Sequence, residues 1–374
     1  MKVAILTLPL YTNYGGILQC YALQTVLEKM HHEVRVLAKP VYGRSYPLVK
    51  SIGICVRLLQ RYGLRKDVPI WNADYELIRI PTDRFIHRYI HLFVRRNWTQ
   101  KIADRFDAVV VGSDQVWRPG YYRRGYAVAD AFLAFAADRP IKRIAYAASF
   151  GVDSCEFTPE QLRICAPLLR GFDAVSVREF SGLELCRTYF GAEACQMVDP
   201  TLLLDAEDYI RLIEQTETKP IEGDLLAYFL DETLEKAKIL ESVASINHYH
   251  PFSVGSRVDD PAAPLDERIQ IPVEQWLRGF RDAKMVVTDS FHGCVFSILF
   301  QKPFIAIGNA ARGLTRFISL LGLLGLGSRL ILSMKEFQSR REELSSPIDY
   351  STVNARLRTC REEAAAFLKQ ALES

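Results

Sequence analysis

The stretch MKVAILTLPLYTNYGGILQCYALQTVLEKMHHEVRVLA, from Met1 to Ala38, decides the fold class of this chain. Residues 3–8 form a short apolar run that is typical of a buried strand. From Gly15 to Met30 the apolar residues recur at spacings of three and four, which predicts an amphipathic helix. Residues 33–38 predict a second strand. A strand, a helix and a strand in this order form a βαβ unit, so we expect an α/β fold built on parallel strands.

The same alternation of strands and helices continues along the chain. The first half predicts further strands over 108–111, 143–148, 174–177 and 194–198, and helices over 159–170 and 179–189. The second half predicts strands over 225–230, 252–254, 285–288 and 304–307, and helices over 233–245, 272–282, 293–300 and 314–322. Between the two sets lies the polar stretch TETKPIEG at 216–223, which is typical of a linker.

We therefore predict two doubly wound, Rossmann-like α/β domains, over residues 1–215 and 224–350. A final helix over 351–374 could pack back onto the first domain. In such an arrangement the ligand cleft lies between the domains, beyond the carboxyl ends of the strands.

The composition narrows the classes of partner. Of the 374 residues, 49% are hydrophobic and 24% are charged, and the formal net charge is only +3. Since the basic residues form no long run, we expect no nucleic-acid partner. The eight cysteines include no Cys-x-x-Cys pair, and the pairs His87/His91 and His248/His250 lack a third ligand, so we expect no metal site. No apolar stretch is long enough to span a bilayer, and we expect a cytoplasmic protein.

One segment, KSIGICVRLLQRYGLRK at 50–66, could bring the protein to the inner face of a membrane. Lys50, Arg57, Arg61 and Arg65 would share one face of a helix there, and such a face can bind an anionic bilayer. A solvated basic face on an ordinary helix explains the same pattern. We thus expect at most peripheral membrane contact.

Polar residues follow the predicted strands at the positions that face the cleft of a doubly wound domain. Asn13, Gly15 and Gly16 lie between the first strand and its helix, where free N–H groups could bind an anion or a sugar oxygen; a plain tight turn is the alternative. Asp114 and Gln115 follow the strand over 108–111. Either these side chains point into the cleft, or Asp114 only caps the next turn.

Two further strand ends predict chemistry. Arg178 follows the strand over 174–177, and its planar guanidinium suits a carboxylate or a phosphate. A structural ion pair with Glu179 or Asp199 is the alternative. His292 lies between a strand end and an almost wholly apolar helix, where a partly exposed imidazole could act as an acid or a base. A buried core histidine is the alternative there.

Six stretches, in this order along the chain, resemble the polysaccharide pyruvyl transferase family. They are NYGGILQCYALQ (13–24), VVVGSDQVW (109–117), YAASFG (146–151), SVRE (176–179), VDPTLLL (198–204) and TDSFHGCVFSILFQKPF (288–304). The resemblance implies a GT-B-like fold of two Rossmann-like domains. It also implies transfer of a pyruvyl group from phosphoenolpyruvate to a saccharide as a ketal, in cell-surface or exopolysaccharide biosynthesis, with phosphoenolpyruvate as co-substrate and no cofactor.

The resemblance assigns roles to individual residues. The donor-binding arginine of the family corresponds to Arg178, and its catalytic or donor-binding histidine corresponds to His292, which we expect to be the acid/base. Many members have Arg-Leu-His where this chain has Ser290, Phe291 and His292, so one phosphate-binding arginine is missing. Ser290 itself is a further donor-binding candidate. Cations that could replace the missing arginine follow in the same domain: Lys302, Arg312 and Arg316.

The acceptor saccharide, either free or linked to a lipid, is expected on the loops of the first domain. The residues proposed for it from their strand-end position are Asn13, Gly15, Gly16, Asp114 and Gln115. Two other functions stay open at this point. A GT-B glycosyltransferase that uses a nucleotide sugar would share the fold and release a nucleotide, whereas a non-catalytic saccharide-binding protein would not depend on His292.

Overall fold

The computed structural model describes residues 1–40, 71–122, 127–308 and 313–373. The basic segment 50–66 and Arg312 therefore lie outside the described residues.

Seven parallel strands form the first sheet, in the order β3-β2-β1-β4-β5-β6-β7. Their bounds are β1 Lys2–Leu6, β2 Glu33–Ala38, β3 Leu92–Val94, β4 Ala108–Val111, β5 Lys142–Ala148, β6 Ala174–Val177 and β7 Cys195–Gln196. Val3 and Ile5 on one face of β1 belong to one apolar core, and Ala4 and Leu6 on the other face belong to another. Because the sheet is covered on both faces, its central strands are continuous apolar runs.

Helices follow the strands of this sheet. They are Tyr14–Lys29, Trp71–Tyr89, Gln100–Ala103, Pro159–Arg170, Phe180–Leu185 and Ala206–Glu214. Short 3₁₀ turns and a π turn lie in the described loops; the 3₁₀ turn Pro200–Leu203 and the π turn Cys186–Phe190 adjoin the last strands.

Five parallel strands form the second sheet, in the order β12-β11-β10-β8-β9. Their bounds are β8 Leu225–Tyr228, β9 Pro251–Phe252, β10 Met285–Thr288, β11 Phe304–Ile307 and β12 Leu330–Ile331. Its helices are Leu234–Asn247, Leu265–Arg268, Val273–Asp282, Phe291–Leu299, Leu314–Leu324, Met334–Ser339, Arg341–Ser345 and Tyr350–Glu373. The first sheet has the Rossmann strand order, and the second has the other common doubly wound order.

Aromatic side chains join the two sheet-forming parts. Tyr14 stacks on Trp276 with ring centroids 5.3 Å apart, and its hydroxyl donates to the carbonyl oxygen of Ile271 at 3.0 Å. Tyr209 meets Phe296 edge-on at 5.0 Å. This apolar contact keeps the strand ends of the two sheets close together.

The last helix, Tyr350–Glu373, packs against the first sheet although it follows the second. The ring of Phe367 lies 6.2 Å from that of Tyr146 on β5. Arg361 donates to the carbonyl oxygens of Leu202 and Leu204, at 2.6 Å each.

The predicted α/β class with parallel strands is confirmed, and most predicted elements lie close to their expected bounds. Sequence patterns missed β3 and β12, which are too short to show periodicity. They also missed the helix Trp71–Tyr89, whose interior Pro81 is typical of a helix end. One difference concerns the site: the helix after β10 begins at Phe291 and not at residue 293, so His292 lies in its first turn.

Among the residues that the structure describes, no helix has both the length and the apolar composition needed to cross a bilayer.

Candidate active site

One cavity lies where the strand order of each sheet reverses. In the first sheet this point is between β1 and β4, and in the second it is between β8 and β10. Doubly wound folds bind ligands beyond the carboxyl ends of the strands at such points. The loops after these four strands line a cavity of about 440 Å³ with residues 12–15, 114–115, 228–230 and 289–292. That volume suits a small-molecule ligand.

A helix begins at this cavity in each domain. Asn13 caps the helix Tyr14–Lys29, since its side-chain oxygen accepts from the N–H of Gly16 at 3.1 Å. Ser290 caps the helix Phe291–Leu299 in the same way, accepting from Gly293 at 3.3 Å. Because helix N-termini have a partial positive charge, both helices favour an anion at the cavity.

Gly15 allows the two domains to meet closely. A β-carbon at this position would lie 1.9 Å from Nδ1 of His292, which no side chain could tolerate. His292 is therefore held against the backbone of the first domain, with only 9% of its side chain exposed. Of the acceptor candidates in this loop, Asn13 and Gly15 line the cavity, and Gly16 lies buried behind them.

Gln19 ties together the two loops of the first switch point. Its amide nitrogen donates to Thr7 Oγ1 at 2.9 Å, and its oxygen accepts from the N–H of Ser113 at 2.8 Å. Thr7 follows β1 and Ser113 follows β4, so this buried side chain fixes the spacing of the loops. Sequence reasoning did not single out Gln19, because nothing local distinguishes it from other polar residues of this helix, such as Gln24.

Asp114 and Gln115 line the cavity, as their position after β4 predicts. Asp114 has a φ of +58°, a left-handed conformation that aspartate adopts more readily than most residues. Its carbonyl oxygen accepts from Val116 and closes the turn, while its buried carboxylate Oδ1 lies 3.6 Å from Arg178 Nη2. Gln115 is half-buried and donates to the hydroxyl of Tyr121 at 3.2 Å.

Asp199 is the centre of the buried polar network, although its sequence signal was only that of an ion-pair partner. Its Oδ2 accepts from Arg178 Nη1 at 2.5 Å and lies 3.7 Å from His292 Nε2. Its Oδ1 accepts from the N–H and the hydroxyl of Thr201. Burial alone would raise the pKa of Asp199, but the His292 imidazole and the Arg178 guanidinium outweigh it and hold that pKa well below its usual range.

Arg178 lies behind the cavity wall and not on it. Only 4% of the residue is exposed, and it forms the ion pair with Asp199. Burial alone would lower the pKa of Arg178, but the carboxylates of Asp199 and Asp114 outweigh it and raise that pKa. Among the contacts of the described residues, Arg178 Nε and Nη2 have no hydrogen-bond acceptor. The structural ion pair is thus formed, and two N–H donors remain for a further anion.

Arg316 brings a second guanidinium to the same place from the other domain. It lines the cavity, and both guanidiniums approach the Phe291 ring: the guanidinium carbon of Arg316 lies 5.7 Å from the ring centroid and that of Arg178 lies 4.5 Å from it. Burial, followed by the charge of Arg178, lowers the pKa of Arg316 to about 10. Both groups are charged at neutral pH, so an anion close to both would relieve their mutual repulsion.

The other donor candidates lie in different places. Ser290 lines the cavity as a helix cap. Lys302 precedes β11 and therefore lies at the amino edge of the second sheet, where Asp282 and Arg281 are the charges that act on it. The structure does not place Lys302 at the cavity, contrary to expectation, because parallel strands put all their amino ends at the opposite edge.

Glu179 has a structural role beside Arg178. Its Oε1 accepts from the N–H groups of Phe150 and Gly151, at 2.7 Å and 3.1 Å, and from the hydroxyl of Ser149 at 3.0 Å. The SVRE stretch thus shapes the YAASFG loop next to the site.

Comparison with solved structures shows the architecture. The chain is similar to UGT89C1 from Arabidopsis thaliana complexed with UDP-L-rhamnose, with a TM-score of 0.51 and 10% identity over 99% of this chain and 97% of that chain. It is also similar to the UDP-GlcNAc 2-epimerase from Neisseria meningitidis bound to UDP-GlcNAc, with a TM-score of 0.49 and 10% identity over 100% and 99% of the two chains. Together with the two doubly wound sheets, the first likeness shows a GT-B-like fold.

Curated protein sequences include no significant match to this chain. Residues 13–310, however, match the polysaccharide pyruvyl transferase family. That range contains every stretch on which the resemblance was based, as well as the strands β4, β8 and β10 that border the switch points. Because the match spans most of the sequence, the chain belongs to the polysaccharide pyruvyl transferase family.

Proposed function

We propose that this protein transfers the pyruvyl group of phosphoenolpyruvate to two hydroxyls of a saccharide and forms a pyruvate ketal. The observation that supports this most directly is a basic cluster at the interdomain cavity, which we define as Arg316 and His292 on the cavity wall and Arg178 just behind it. Family membership supports a transferase that acts in polysaccharide biosynthesis. The cluster adds a reason why the donor would be a small, highly charged anion.

Phosphoenolpyruvate has a carboxylate and a phosphate, and the cavity offers donors for both. Two helix N-termini and the guanidinium of Arg316 face the cavity directly. Buried N–H groups without acceptors cost about 1–3 kcal/mol each, so an oxyanion that reached Nε and Nη2 of Arg178 would be favoured. We assign to Arg316 the phosphate contact that an arginine at position 290 would otherwise make.

The proposed reaction consists of proton transfers and substitution at carbon, so it needs an acid/base group. A proton adds to the methylene carbon of the donor, and the neighbouring carbon becomes electrophilic. One saccharide hydroxyl attacks that carbon, the carbon–oxygen bond to phosphate breaks, and the second hydroxyl closes the ketal. Of the two hydroxyl protons, one balances the new methyl group and the other leaves with inorganic phosphate.

His292 is the residue that we propose for these proton transfers. It lies in the first turn of its helix, at the cavity, and imidazole is the side chain that most often serves as a general acid or base. A positioned acid/base group of this kind contributes about 100- to 10,000-fold in rate. The amides of Asn13 and Gln115 and the carboxylate of Asp114 lie on the same cavity wall and suit saccharide hydroxyls.

Incubation of the protein with phosphoenolpyruvate and a panel of nucleotide-linked and lipid-linked sugars tests the proposal. Mass spectrometry should detect a pyruvylated sugar, formed together with an equal amount of inorganic phosphate. Release of a nucleotide from a sugar nucleotide, without any use of phosphoenolpyruvate, would show a glycosyltransferase instead. Saccharide binding that is unchanged by His292→Ala, without turnover of either donor, would show a binding protein.

A further inference from the structure

We propose that Asp199 is a positioning residue, which keeps a proton on Nε2 of His292 and leaves Nδ1 as the basic nitrogen at the cavity. The effect of Asp199 on turnover rests on the proposed function. The arrangement of the Asp199 and His292 side chains is independent of that function, and an experiment without substrate can test it.

The carboxylate of Asp199 has a fixed orientation. Its Oδ1 accepts from the N–H of Thr201 at 3.0 Å and from the hydroxyl of the same residue at 2.6 Å. Its Oδ2 accepts from Arg178 Nη1 at 2.5 Å and from the hydroxyl of Ser113 at 3.4 Å. Every one of these donors belongs to the first domain, and the carboxylate is fully buried. Asp199 therefore presents a rigid acceptor to the second domain.

The imidazole of His292 presents Nε2 to that acceptor. Nε2 lies 3.7 Å from Asp199 Oδ2, is buried, and has no hydrogen-bond partner among the described residues. The depressed pKa of Asp199 keeps its carboxylate ionised, so that its oxygens can only accept. A lone pair on Nε2 would face this negative oxygen, whereas a proton on Nε2 would point at it. The neutral imidazole therefore has its proton on Nε2 and its lone pair on Nδ1.

Nδ1 faces the first-domain loop that lines the cavity. The contact with Gly15, where a β-carbon would be 1.9 Å away, brings this nitrogen next to the Asn13 cap and the start of the helix. The gap of 3.7 Å between Nε2 and Oδ2 spans the two domains, so a slight closure on substrate would convert it into a hydrogen bond.

The other charged groups near His292 either pair with an opposite charge or contact Arg178 and Phe291 instead of Nε2. Asp289, at the end of its own strand, pairs with Lys236 at 2.6 Å. Asp114 faces Arg178 at 3.6 Å, and Arg316 lies across the Phe291 ring. Asp199 is the carboxylate that Nε2 faces directly.

Nitrogen-15 NMR of histidine-labelled wild-type protein tests the assignment, because the two ring nitrogens report the tautomer. The signals of His292 are identified by their loss in His292→Gln. We expect the Nε2–H tautomer at pH values where the ring is neutral. A predominant Nδ1–H tautomer, or an even mixture, would overturn the proposal without touching the proposed function.

The paired variant Asp199→Asn with Arg178→Met gives a sharper result, since it removes both charges and leaves no unpaired ion. The donors of Thr201 keep the amide oxygen of the new asparagine on their side, so its NH₂ group faces Nε2. We expect the tautomer of His292 to invert to Nδ1–H. A tautomer that stays Nε2–H in this folded variant would assign Asp199 a structural role only.

The matched control is Asp289→Asn with Lys236→Met, which removes a second buried aspartate–cation pair beside the same helix. We expect this control to lose stability and to keep the Nε2–H tautomer. Inversion in the control as well would overturn the specific role of Asp199. If neither paired variant folds, the wild-type tautomer still decides the proposal.

Discussion

The imidazole of His292 fills the space that a β-carbon on Gly15 would need, with Nδ1 at 1.9 Å and Cγ at 2.3 Å from that position. Gly15 belongs to the loop after β1, and His292 belongs to the helix after β10. The contact therefore joins the switch points of two different sheets. The distance between the domains at the cavity is set by this contact, in which the bare backbone of Gly15 meets the buried ring of His292.

Gly15→Ala should displace His292 and reduce turnover by about 100-fold or more, the loss expected when an acid/base group is moved out of reach. Release of inorganic phosphate from phosphoenolpyruvate in the presence of acceptor measures this. Gly322→Ala is the control, because a β-carbon there has no atom within 4 Å. Equal activity of the Gly15 and Gly322 variants would mean that the contact has no role in catalysis.

His292→Ala should remove pyruvyl transfer and leave the fold intact, because the lost ring lies at a cavity and not in the middle of a core. Thermal unfolding checks the fold, and phosphate release checks the activity. Retention of more than about a tenth of the wild-type rate would exclude His292 from the acid/base role.

Arg316→Gln should weaken binding of phosphoenolpyruvate by about 10-fold or more, since a hydrogen bond to a charged group contributes about 1.5–3 kcal/mol. Isothermal titration calorimetry gives the affinity. Arg329→Gln is the control: Arg329 is similarly buried but donates to the carbonyl oxygens of Leu344 and Ser346, away from the cavity. The same affinity in both variants would remove Arg316 from the donor site.

Arg178→Lys should weaken donor binding nearly as much as Arg178→Ala, because an ammonium group cannot hold Asp199 and offer the two remaining N–H donors in one plane. Arg178→Ala should also be destabilised by about 3–5 kcal/mol, since Asp199 loses its counter-ion, whereas Arg178→Lys keeps a cation there and should lose less stability. Urea unfolding and titration with phosphoenolpyruvate separate the two effects. A loss of stability with unchanged affinity would leave Arg178 with the ion-pair role alone.

Stability should depend on the ionisation of Asp199 in acid. Its pKa in the folded protein is depressed, so its contribution is complete above the unfolded value of about 3.9 and is lost as the pH falls towards the folded value. Urea unfolding between about pH 6 and pH 3 should show the wild type losing more stability below about pH 4 than the paired variant Asp199→Asn with Arg178→Met. A constant difference between the two proteins across this range would contradict the prediction.

Local pattern alone determined the element types and the residues at the strand ends. Neighbouring residues alone determine the apolar run at β1, the helical spacing after Gly15 and the buried run of β4. These patterns can therefore be recognised without knowledge of the tertiary structure. In a parallel sheet all carboxyl ends share one edge, which is why Asp114 and His292 were expected at a cleft, and both line it.

Only the tertiary structure decided which of these side chains meet. Lys302 and Arg316 lie on either side of β11 in the sequence, and the direction of that strand puts Lys302 at the amino edge of its sheet and Arg316 at the cavity. Asp199 was expected only as a possible ion-pair partner of Arg178, and its approach to His292 exists because the two domains close on each other. Contacts of this kind join distant parts of the chain, so no local spacing or propensity specifies them; they follow from how the two sheets pack.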